Sequence, residues 1–148
     1  MNITEQLRQL MTLDANINTT GIENNFEQSA KMLFERFAIQ KGEKKYLFKD
    51  IEFYFYNKNH RDIITYPRSS KPLCWYNNRF GGIDLNFESN IECRESKKYD
   101  LDDTAYFGGI LVRQLVCVNE VGSSKVLSGP LRCAELFKHN DTTSSFNE

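Results

Sequence analysis

One stretch predicts the fold most clearly: Lys49-Asp50-Ile51-Glu52-Phe53-Tyr54-Phe55-Tyr56-Asn57-Lys58-Asn59-His60-Arg61-Asp62. Large apolar side chains occupy every second position from Ile51 to Phe55, and a carboxylate and two phenols occupy the alternate positions. A period of two residues is typical of a β-strand whose two faces differ. One face is wholly apolar and predicts a core, whereas the other places Glu52 beside aromatic rings and shortly before His60.

Glu52 is the candidate catalytic residue of this strand. Aromatic neighbours reduce the hydration of a carboxylate, which tends to raise its pKa and suits it to proton transfer. The alternative is that Glu52 is a solvated side chain on an ordinary polar strand face. The strand pattern is compatible with both interpretations.

Length, charge and cysteine content limit the classes of protein that remain. A chain of 148 residues is expected to form one domain, and a net charge of −1 gives no overall basic signal for nucleic acid. The four cysteines are widely spaced, so we expect free thiols and neither a metal nor a cofactor. No stretch resembles a signal peptide or a membrane span, which predicts a cytoplasmic protein without a membrane partner.

The first part of the chain is predicted to be an arm followed by a helix. Apolar residues follow helical spacing over residues 3–13, and the Asn- and Thr-rich residues 14–25 predict a loop, so residues 1–25 are expected to be an N-terminal arm. Asn24 or Asn25 is the expected N-cap of the longer helix. Its apolar face is formed by Phe26, Ala30, Leu33, Phe34 and Phe37.

Two later strands begin with the same four residues, Phe-Gly-Gly-Ile, at 80–83 and 107–110. Paired glycines allow close approach of a neighbour or ligand. The second strand is apolar almost throughout, as a central buried strand would be, but Arg113 lies in its middle. A buried guanidinium without a counter-charge is very costly, so we expect Glu52 or Asp84 beside Arg113. The alternative is that Arg113 extends to an open face of the sheet.

The segment 58–79 is basic and contains several aromatic rings. Cations can bind phosphates while bases stack on the rings, which is typical of nucleic-acid binding. The alternative is a solvated loop interrupted by prolines. The cations proposed to bind nucleic acid are Arg61, Arg68, Lys71 and Arg79, and the interspersed rings are Tyr66, Trp75 and Tyr76. An acidic segment follows, and its residues 89–103 are predicted to form an exposed loop.

The sequence Ser128-Gly129-Pro130 predicts a helix start near the end of the chain. Backbone N–H groups at such a start point outward and offer a phosphate contact. Residues 139–148 are polar and predict a frayed tail.

Taken in order, these motifs resemble the alkyladenine (3-methyladenine) DNA glycosylase family over roughly residues 26–137. That family has a strand with Glu and Tyr two residues apart, then a His, a Thr-Pro-Arg segment, an aromatic strand, a strand carrying Arg, and a Ser-Gly-Pro helix start. The matching residues are Glu52-Phe53-Tyr54, His60, Thr65-Tyr66-Pro67-Arg68, Cys74-Trp75-Tyr76, Ile110-Leu111-Val112-Arg113 and Ser128-Gly129-Pro130. Their common order and approximate spacing carry the resemblance.

The resemblance implies a catalytic role for two residues. Glu52 would be the general base that activates the water attacking the sugar carbon, and Arg113 would lie next to it. Breaking an N-glycosidic bond builds positive charge on the sugar, which a carboxylate stabilises. The damaged base would first be flipped out of the duplex.

The resemblance also implies a pocket for the base. Tyr54 and His60 would line it and stack on the base, and Trp75 or Tyr76 would close the other side. Asp84 lies near the position of an asparagine with which the family discriminates substrates. A carboxylate there accepts hydrogen bonds but does not donate them unless it is protonated.

The expected fold is a single α+β domain with a curved, mainly antiparallel β-sheet and flanking helices. The expected function is hydrolysis of the N-glycosidic bond of alkylated purines in duplex DNA, in base excision repair, by a monomer. The alternatives are a non-catalytic relative that binds nucleic acid or a nucleobase, and a protein that keeps only the architecture.

These alternatives differ in geometry. A glycosylase requires four side chains to converge on one cleft, with two cations at its rim. The four are Glu52, Tyr54, His60 and Arg113, and the cations are Arg68 and Lys71. A non-catalytic relative keeps the cleft without room for a water beside the carboxylate.

Overall fold

The computed structural model, which describes residues 1–62, 64–68, 71–91, 103–118, 125–138 and 142–145, centres on an antiparallel sheet of eight strands. The strands are β1 (Ala38–Lys41), β2 (Lys44–Asn57), β3 (His60–Arg61), β4 (Trp75–Asn77), β5 (Ile83–Asn86), β6 (Phe107–Cys117), β7 (Lys125–Ser128) and β8 (Thr142–Ser145). The helices are α1 (Ile3–Leu10), α2 (Thr19–Arg36) and α3 (Pro130–Ala134), and a 3-10 turn, Glu135–Phe137, follows α3.

The sheet is curled, and its strand order is β4-β5-β6-β2-β1-β8, with β3 paired to β2 and β7 paired to β6. The predicted α+β domain with a curved antiparallel sheet is confirmed. None of the described helices is both long enough and apolar enough to cross a membrane.

Strand β2 has the two faces that its sequence predicts. Phe53 and Phe55 pack in the main core, where they meet Ile110 of β6. Helix α2 covers this face, and its Phe26 stacks on Phe53 with ring centroids 4.6 Å apart. Side chains alternate along a strand, so the even-numbered residues around Tyr54 lie on the opposite face.

Two irregularities interrupt the pairing of β2 with β6. The register shifts on both sides of Asp50, and Lys49 of β2 and Arg113 of β6 have no partner across the ladder. Each is the extra residue of a β-bulge, which changes the direction of a side chain. The next buried residue of β6 after Val112 is accordingly Leu115, three positions on rather than two.

The N-terminal segment is part of the core rather than a loose arm. Leu7 and Met11 are fully buried, and the carbonyl of Met11 accepts a 2.9 Å hydrogen bond from the N–H of Glu88. The first predicted helix is confirmed as α1, but the predicted loop over residues 14–25 is too long. Helix α2 begins at Thr19, because the side chain of Asn18 accepts a hydrogen bond from a free N–H of the first turn.

The predicted N-cap and inner face of α2 need correction. Asn24 and Asn25 lie inside the helix. Ile22 and Leu33 are buried on its inner face, but Phe34 is among the exposed large apolar residues. The face of α2 that packs against the sheet is therefore narrower than the predicted one.

The predicted helix start after Ser128 is confirmed. Helix α3 begins at Pro130, and Gly129 caps it with a φ of 95°, in the left-handed region that favours glycine. Residues 142–145 form β8, which pairs with β1, so the prediction of a frayed tail is wrong for them. The rest of that tail and residues 92–102 of the predicted acidic loop lie outside the described residues.

Candidate functional site

A cavity of about 380 Å³ opens on the face of the sheet opposite to α2. Strands β2, β5 and β6 contribute Tyr54, Asp84 and Leu111, whose side chains point away from the main core. Residues of the segments 64–68 and 78–82 and the start of α3 complete the lining. A concave, mostly apolar site with a few polar groups is the usual form of a ligand site.

Three large apolar side chains of the cavity are exposed. Ile64, Phe80 and Leu131 have 68%, 77% and 62% of their surface accessible. Phe80 is followed by Gly81, whose φ is 87° and whose Cβ, if it had one, would lie 2.8 Å from Cδ2 of Leu131. The absence of a side chain at Gly81 therefore leaves room for Leu131 to lie against this turn. Exposed apolar groups beside a cavity indicate a binding surface.

A buried ion pair lies in the cavity lining. Arg68 Nε donates to Asp84 Oδ2 at 2.6 Å, and the two side chains are only 4% and 1% exposed. Arg68 Nη1 donates to Thr65 Oγ1 at 2.9 Å and to the carbonyl of Tyr66 at 3.0 Å. Asn78 Nδ2 donates to the other oxygen of Asp84 at 3.1 Å. Both buried charges thus have the hydrogen bonds that such a pair requires.

Gly109 leaves room for the Arg68 side chain to lie across this face of the sheet. It lies opposite Tyr54 in the ladder between β2 and β6. A Cβ at this position would lie 3.3 Å from Cδ and Nε of Arg68 and 3.4 Å from Cβ of Asp84. Any side chain here would press on the ion pair, so Gly109 fits the prediction that these glycines permit close approach.

Tyr66 is held by two guanidinium groups. Its ring centroid lies 4.6 Å from Cζ of Arg68 and 3.8 Å from Cζ of Arg79. Its hydroxyl also accepts a 2.8 Å hydrogen bond from the backbone N–H of Arg79. These cation–π and polar contacts fix an aromatic ring in the cavity lining.

Glu52 lies beside the cavity and binds two side chains. Arg113 Nη1 donates to Oε2 of Glu52, and the hydroxyl of Tyr54 donates to the same carboxylate. The hydrogen bond from Tyr54 and the contact with Arg113 lower the pKa of Glu52. Partial burial acts in the opposite direction but is outweighed. The predicted increase is therefore wrong, because an aromatic neighbour that donates a hydrogen bond stabilises the ionised carboxylate.

Tyr54 connects Glu52 to the cavity. Burial and the hydrogen bond to Glu52 raise the pKa of Tyr54 to about 12. The phenol is therefore protonated at neutral pH and able to donate. One side chain both lines the cavity and orients the carboxylate.

The carboxylate expected beside Arg113 is Glu52, but Arg113 is not buried. Its side chain is 45% exposed, and Asp50 Oδ2 lies 3.7 Å from its Nε. Asp84, the other candidate, binds Arg68 instead. Arg113 follows the buried Val112 and lies on the opposite face of β6, as the alternation of a strand requires, so both predicted interpretations of Arg113 are partly correct.

His60 does not reach the cavity. It pairs with Asn57, whose side chain donates to backbone carbonyls of the N-terminal segment on the core side of the sheet. The His60 ring lies edge-on to Phe26, and its Nδ1 is 2.6 Å from the carbonyl oxygen of Phe55. The position of β3 therefore turns this residue away from Glu52.

Neither aromatic residue expected to close the pocket lines it. Trp75 pairs with Leu85 and packs against Phe137 at 4.8 Å, because its strand position faces the core. Tyr76 pairs with Asp84 but is not in the cavity lining. Of the predicted substrate-binding residues, Tyr54 and Asp84 line the cavity.

Among the cations predicted to bind nucleic acid, Arg68 lines the cavity, but it is buried rather than at the rim. Arg79 is exposed beside the cavity tyrosine, and Lys71 is exposed outside the lining. Arg61 forms an exposed ion pair with Asp103 at 3.5 Å. Such a surface pair contributes little and leaves the guanidinium accessible.

Ile64 and Asn78 are cavity residues that the sequence motifs did not single out, and Leu111 and Pro130 stand in quoted motifs to which no side-chain contact with a ligand was assigned. Asn78 Oδ1 accepts hydrogen bonds from the N–H groups of Phe80 and Gly82, both at 3.0 Å. An asparagine shortly before paired glycines is a turn signal, and it could have placed this loop next to the strand. Ile64 carries no such signal.

Comparison with known proteins does not identify the chain. No family model, curated protein or solved structure matches it. Within the described residues, no three side chains of metal-binding type lie together as a site for an ion. A functional proposal therefore rests on the geometry of the cavity and of Glu52.

Proposed function

We propose that this protein is a monofunctional DNA glycosylase that hydrolyses the N-glycosidic bond of an alkylated purine flipped out of duplex DNA. The hydrogen bond between Tyr54 and Glu52 is the observation that supports this most, because it joins a carboxylate to the wall of a cavity. A base stacked on Tyr54 brings its sugar towards Glu52, which lies two residues earlier on the same face of β2.

The cavity suits a single base. Its volume of about 380 Å³ is near the lower end of the range for ligand pockets. The ring of Tyr54 is part of the lining, and an alkylated purine that carries positive charge is attracted to electron-rich rings. A pocket of this kind offsets the few kcal/mol that extrusion of a base costs.

The ionisation state of Glu52 suits the reaction. Because the hydrogen bond from Tyr54 lowers its pKa, the carboxylate is ionised at neutral pH. An ionised carboxylate stabilises the oxocarbenium-like transition state and orients the attacking water. Arg113 contacts the carboxylate rather than the cavity, so its role is to position Glu52.

The surface next to the cavity suits a duplex from which one base has left the stack. Phe80 is exposed and apolar, as are side chains that insert between bases when DNA is deformed. Arg79 lies next to it in the sequence and is exposed, where it can bind a phosphate.

A non-catalytic protein that binds a nucleobase is the second candidate. Glu52 is not in the cavity lining, and its carboxylate already accepts hydrogen bonds from Arg113 and Tyr54. With these bonds intact, a base can bind in the cavity without a water being activated beside the carboxylate.

Release of free base from methylated duplex DNA tests the proposal. We expect the wild type to release free methylated purine, measured by chromatography. The variant Glu52→Gln should be slower by about 100-fold or more, because general acid–base catalysis contributes about that much. Glu27→Gln, an exposed position on α2, is the matched control and should retain the wild-type rate.

Two results would contradict this assignment in different ways. If the wild type binds the base but releases none, the second candidate is correct. If the wild type and Glu52→Gln release base equally fast, Glu52 is not the catalytic residue.

A further inference from the structure

Arg68 has hydrogen-bond donors that the described residues do not use. Its hydrogen bonds run from Nε to Asp84 and from Nη1 to Thr65 and Tyr66. Nη2 carries two further N–H groups. Among the described residues, no side chain or carbonyl accepts a hydrogen bond from Nη2, and Nη2 is not a fully enclosed atom. Nη2 therefore contacts open space. The cavity is the open space that Arg68 lines.

The acceptors next to Arg68 are already engaged. The two oxygens of Asp84 accept hydrogen bonds from Arg68 Nε and from Asn78 Nδ2. The side-chain oxygen of Asn78 accepts two backbone N–H groups of its own loop. The polar part of the cavity therefore presents more free donors than free acceptors.

We propose that Arg68 is a specificity-determining residue of this cavity and selects a base that presents a ring carbonyl oxygen, as 6-oxopurines do, over adenine-type bases that present an amino group. This inference rests on the proposed function and narrows its substrate to alkylated purines with an oxo group. Arginine donating to O6 and N7 of a 6-oxopurine is the most common specific contact between a protein and a base. Asp84 and Asn78 position the guanidinium for it.

The physical reason is the cost of unpaired donors. A carbonyl oxygen accepts from Nη2, whereas an amino group places its own N–H groups against those of the guanidinium. Both sets of donors then lose water without gaining a partner. The ion pair with Asp84 keeps the local net charge near zero, so Arg68 can select an oxygen without strongly repelling a base that carries positive charge.

The test compares two free bases, hypoxanthine and adenine, which carry an oxo and an amino group at the same ring position. Equilibrium dialysis measures the affinity of the wild type for each. We expect hypoxanthine to bind about 10- to 100-fold more tightly, the range for a well-made contact of arginine with a base edge.

Variants of the ion pair assign the preference to Arg68. Arg68→Met alone leaves the charge of Asp84 buried and unpaired, so the variant to use is the double change Arg68→Met with Asp84→Met. Arg68→Lys keeps the charge but removes the second terminal nitrogen. We expect the double variant to bind the two bases equally and Arg68→Lys to lose most of the preference.

Arg8→Met is the matched control. Arg8 is an exposed arginine on α1 and lies outside the cavity lining. This variant should keep the wild-type preference for hypoxanthine.

The outcomes separate this inference from the proposed function. Equal binding of both bases by the wild type, or an unchanged preference in the double variant, overturns the role of Arg68 and leaves glycosylase activity possible. A preference for hypoxanthine without release of any base from DNA overturns the activity and supports the role of Arg68. Failure of the wild type to bind either base overturns the role of Arg68, and the activity is then decided by the release of base from DNA alone.

Discussion

Tyr54 joins the two parts of the site. Its ring lines the cavity and its hydroxyl donates to Glu52. The same hydrogen bond lowers the pKa of the carboxylate and raises that of the phenol, because it stabilises the ionised form of one and the protonated form of the other. A ligand that moves this ring therefore also changes the environment of Glu52.

The free energy of unfolding should decrease at alkaline pH because of Tyr54. An unfolded tyrosine ionises near pH 10, whereas burial and the hydrogen bond to Glu52 raise the pKa of Tyr54 in the folded protein to about 12. Between these values the folded state keeps a proton that the unfolded state has lost, so stability falls as the pH rises. Urea denaturation as a function of pH should show a shallower decline for Tyr54→Phe than for the wild type.

Glu52→Gln provides the comparison for that experiment. It keeps the phenol but removes the negative charge, so the pKa of Tyr54 should decrease while burial still holds it above the ordinary value. Its decline with pH should lie between those of the wild type and Tyr54→Phe. Identical curves for all three proteins would contradict the assignment to Tyr54.

Among the elements, the ladder between β2 and β6 depends on one glycine. A Cβ at Gly108 would lie 2.2 Å from the carbonyl oxygen of Tyr54 and 2.9 Å from Cα of Phe55. These are backbone atoms of the paired strand, and they cannot move away without separating the ladder. The close approach of the two strands therefore requires that this position has no side chain.

Gly108→Ala should destabilise the protein by about 3 kcal/mol, the upper part of the usual range for overpacking. Urea denaturation measures the change. Gly42→Asn is the control, since Gly42 has a φ of 58° in an exposed turn and a Cβ added there would meet no atom within 4 Å. Asparagine tolerates this left-handed conformation, so the control should change stability by less than about 1 kcal/mol. Equal effects at both positions would show that strand contact is not the cause.

The elements that the sequence predicts well are those with a regular pattern. The alternation in β2 and the Ser-Gly-Pro start of α3 required only local geometry. The pairing of Arg113 with Glu52 was predictable because an unpaired charge in an apolar strand is costly. The bulge at Arg113 was not predictable, because a register shift depends on two strands together.

Arg68 shows a different limit of prediction from sequence. It lies in the Thr65-Tyr66-Pro67-Arg68 segment, and no sequence pattern predicts that it is buried while Arg79 is exposed. Its burial depends on the space left by Gly109 and on the carboxylate of Asp84, both distant in sequence. The structure therefore supplies the residue on which substrate selection is proposed to depend.

For the molecule as a whole, the N-terminal segment contributes to stability. Leu7 is fully buried in the core, and the side chain of Asn57 donates to the carbonyls of Asp14 and Ile17 at 3.1 and 2.9 Å. Helix α1 and the loop after it are thus attached to the end of β2. The strand that carries Glu52 is held in place partly by residues far from the cavity.

Leu7→Ala should lower the free energy of unfolding by about 2 to 5 kcal/mol, the range for a leucine truncated in a core. Leu131→Ala is the matched control, because the Leu131 side chain is 62% exposed. It should change stability by no more than about 0.5 kcal/mol. Chemical denaturation distinguishes the two, and a small effect of Leu7→Ala would mean that α1 is not part of the cooperative unit.

The bulges at Lys49 and Arg113 have a consequence for how this sheet can change. Each extra residue shifts the phase of its strand by one position, and the two shifts compensate, so that both strands return to a common register. A different side chain at 113 would alter only the surroundings of Glu52. Deletion of the residue would shift the register of β6 against β2 by one position. Apolar side chains on one side of the bulge would then face water. Position 113 therefore tolerates substitution but not deletion.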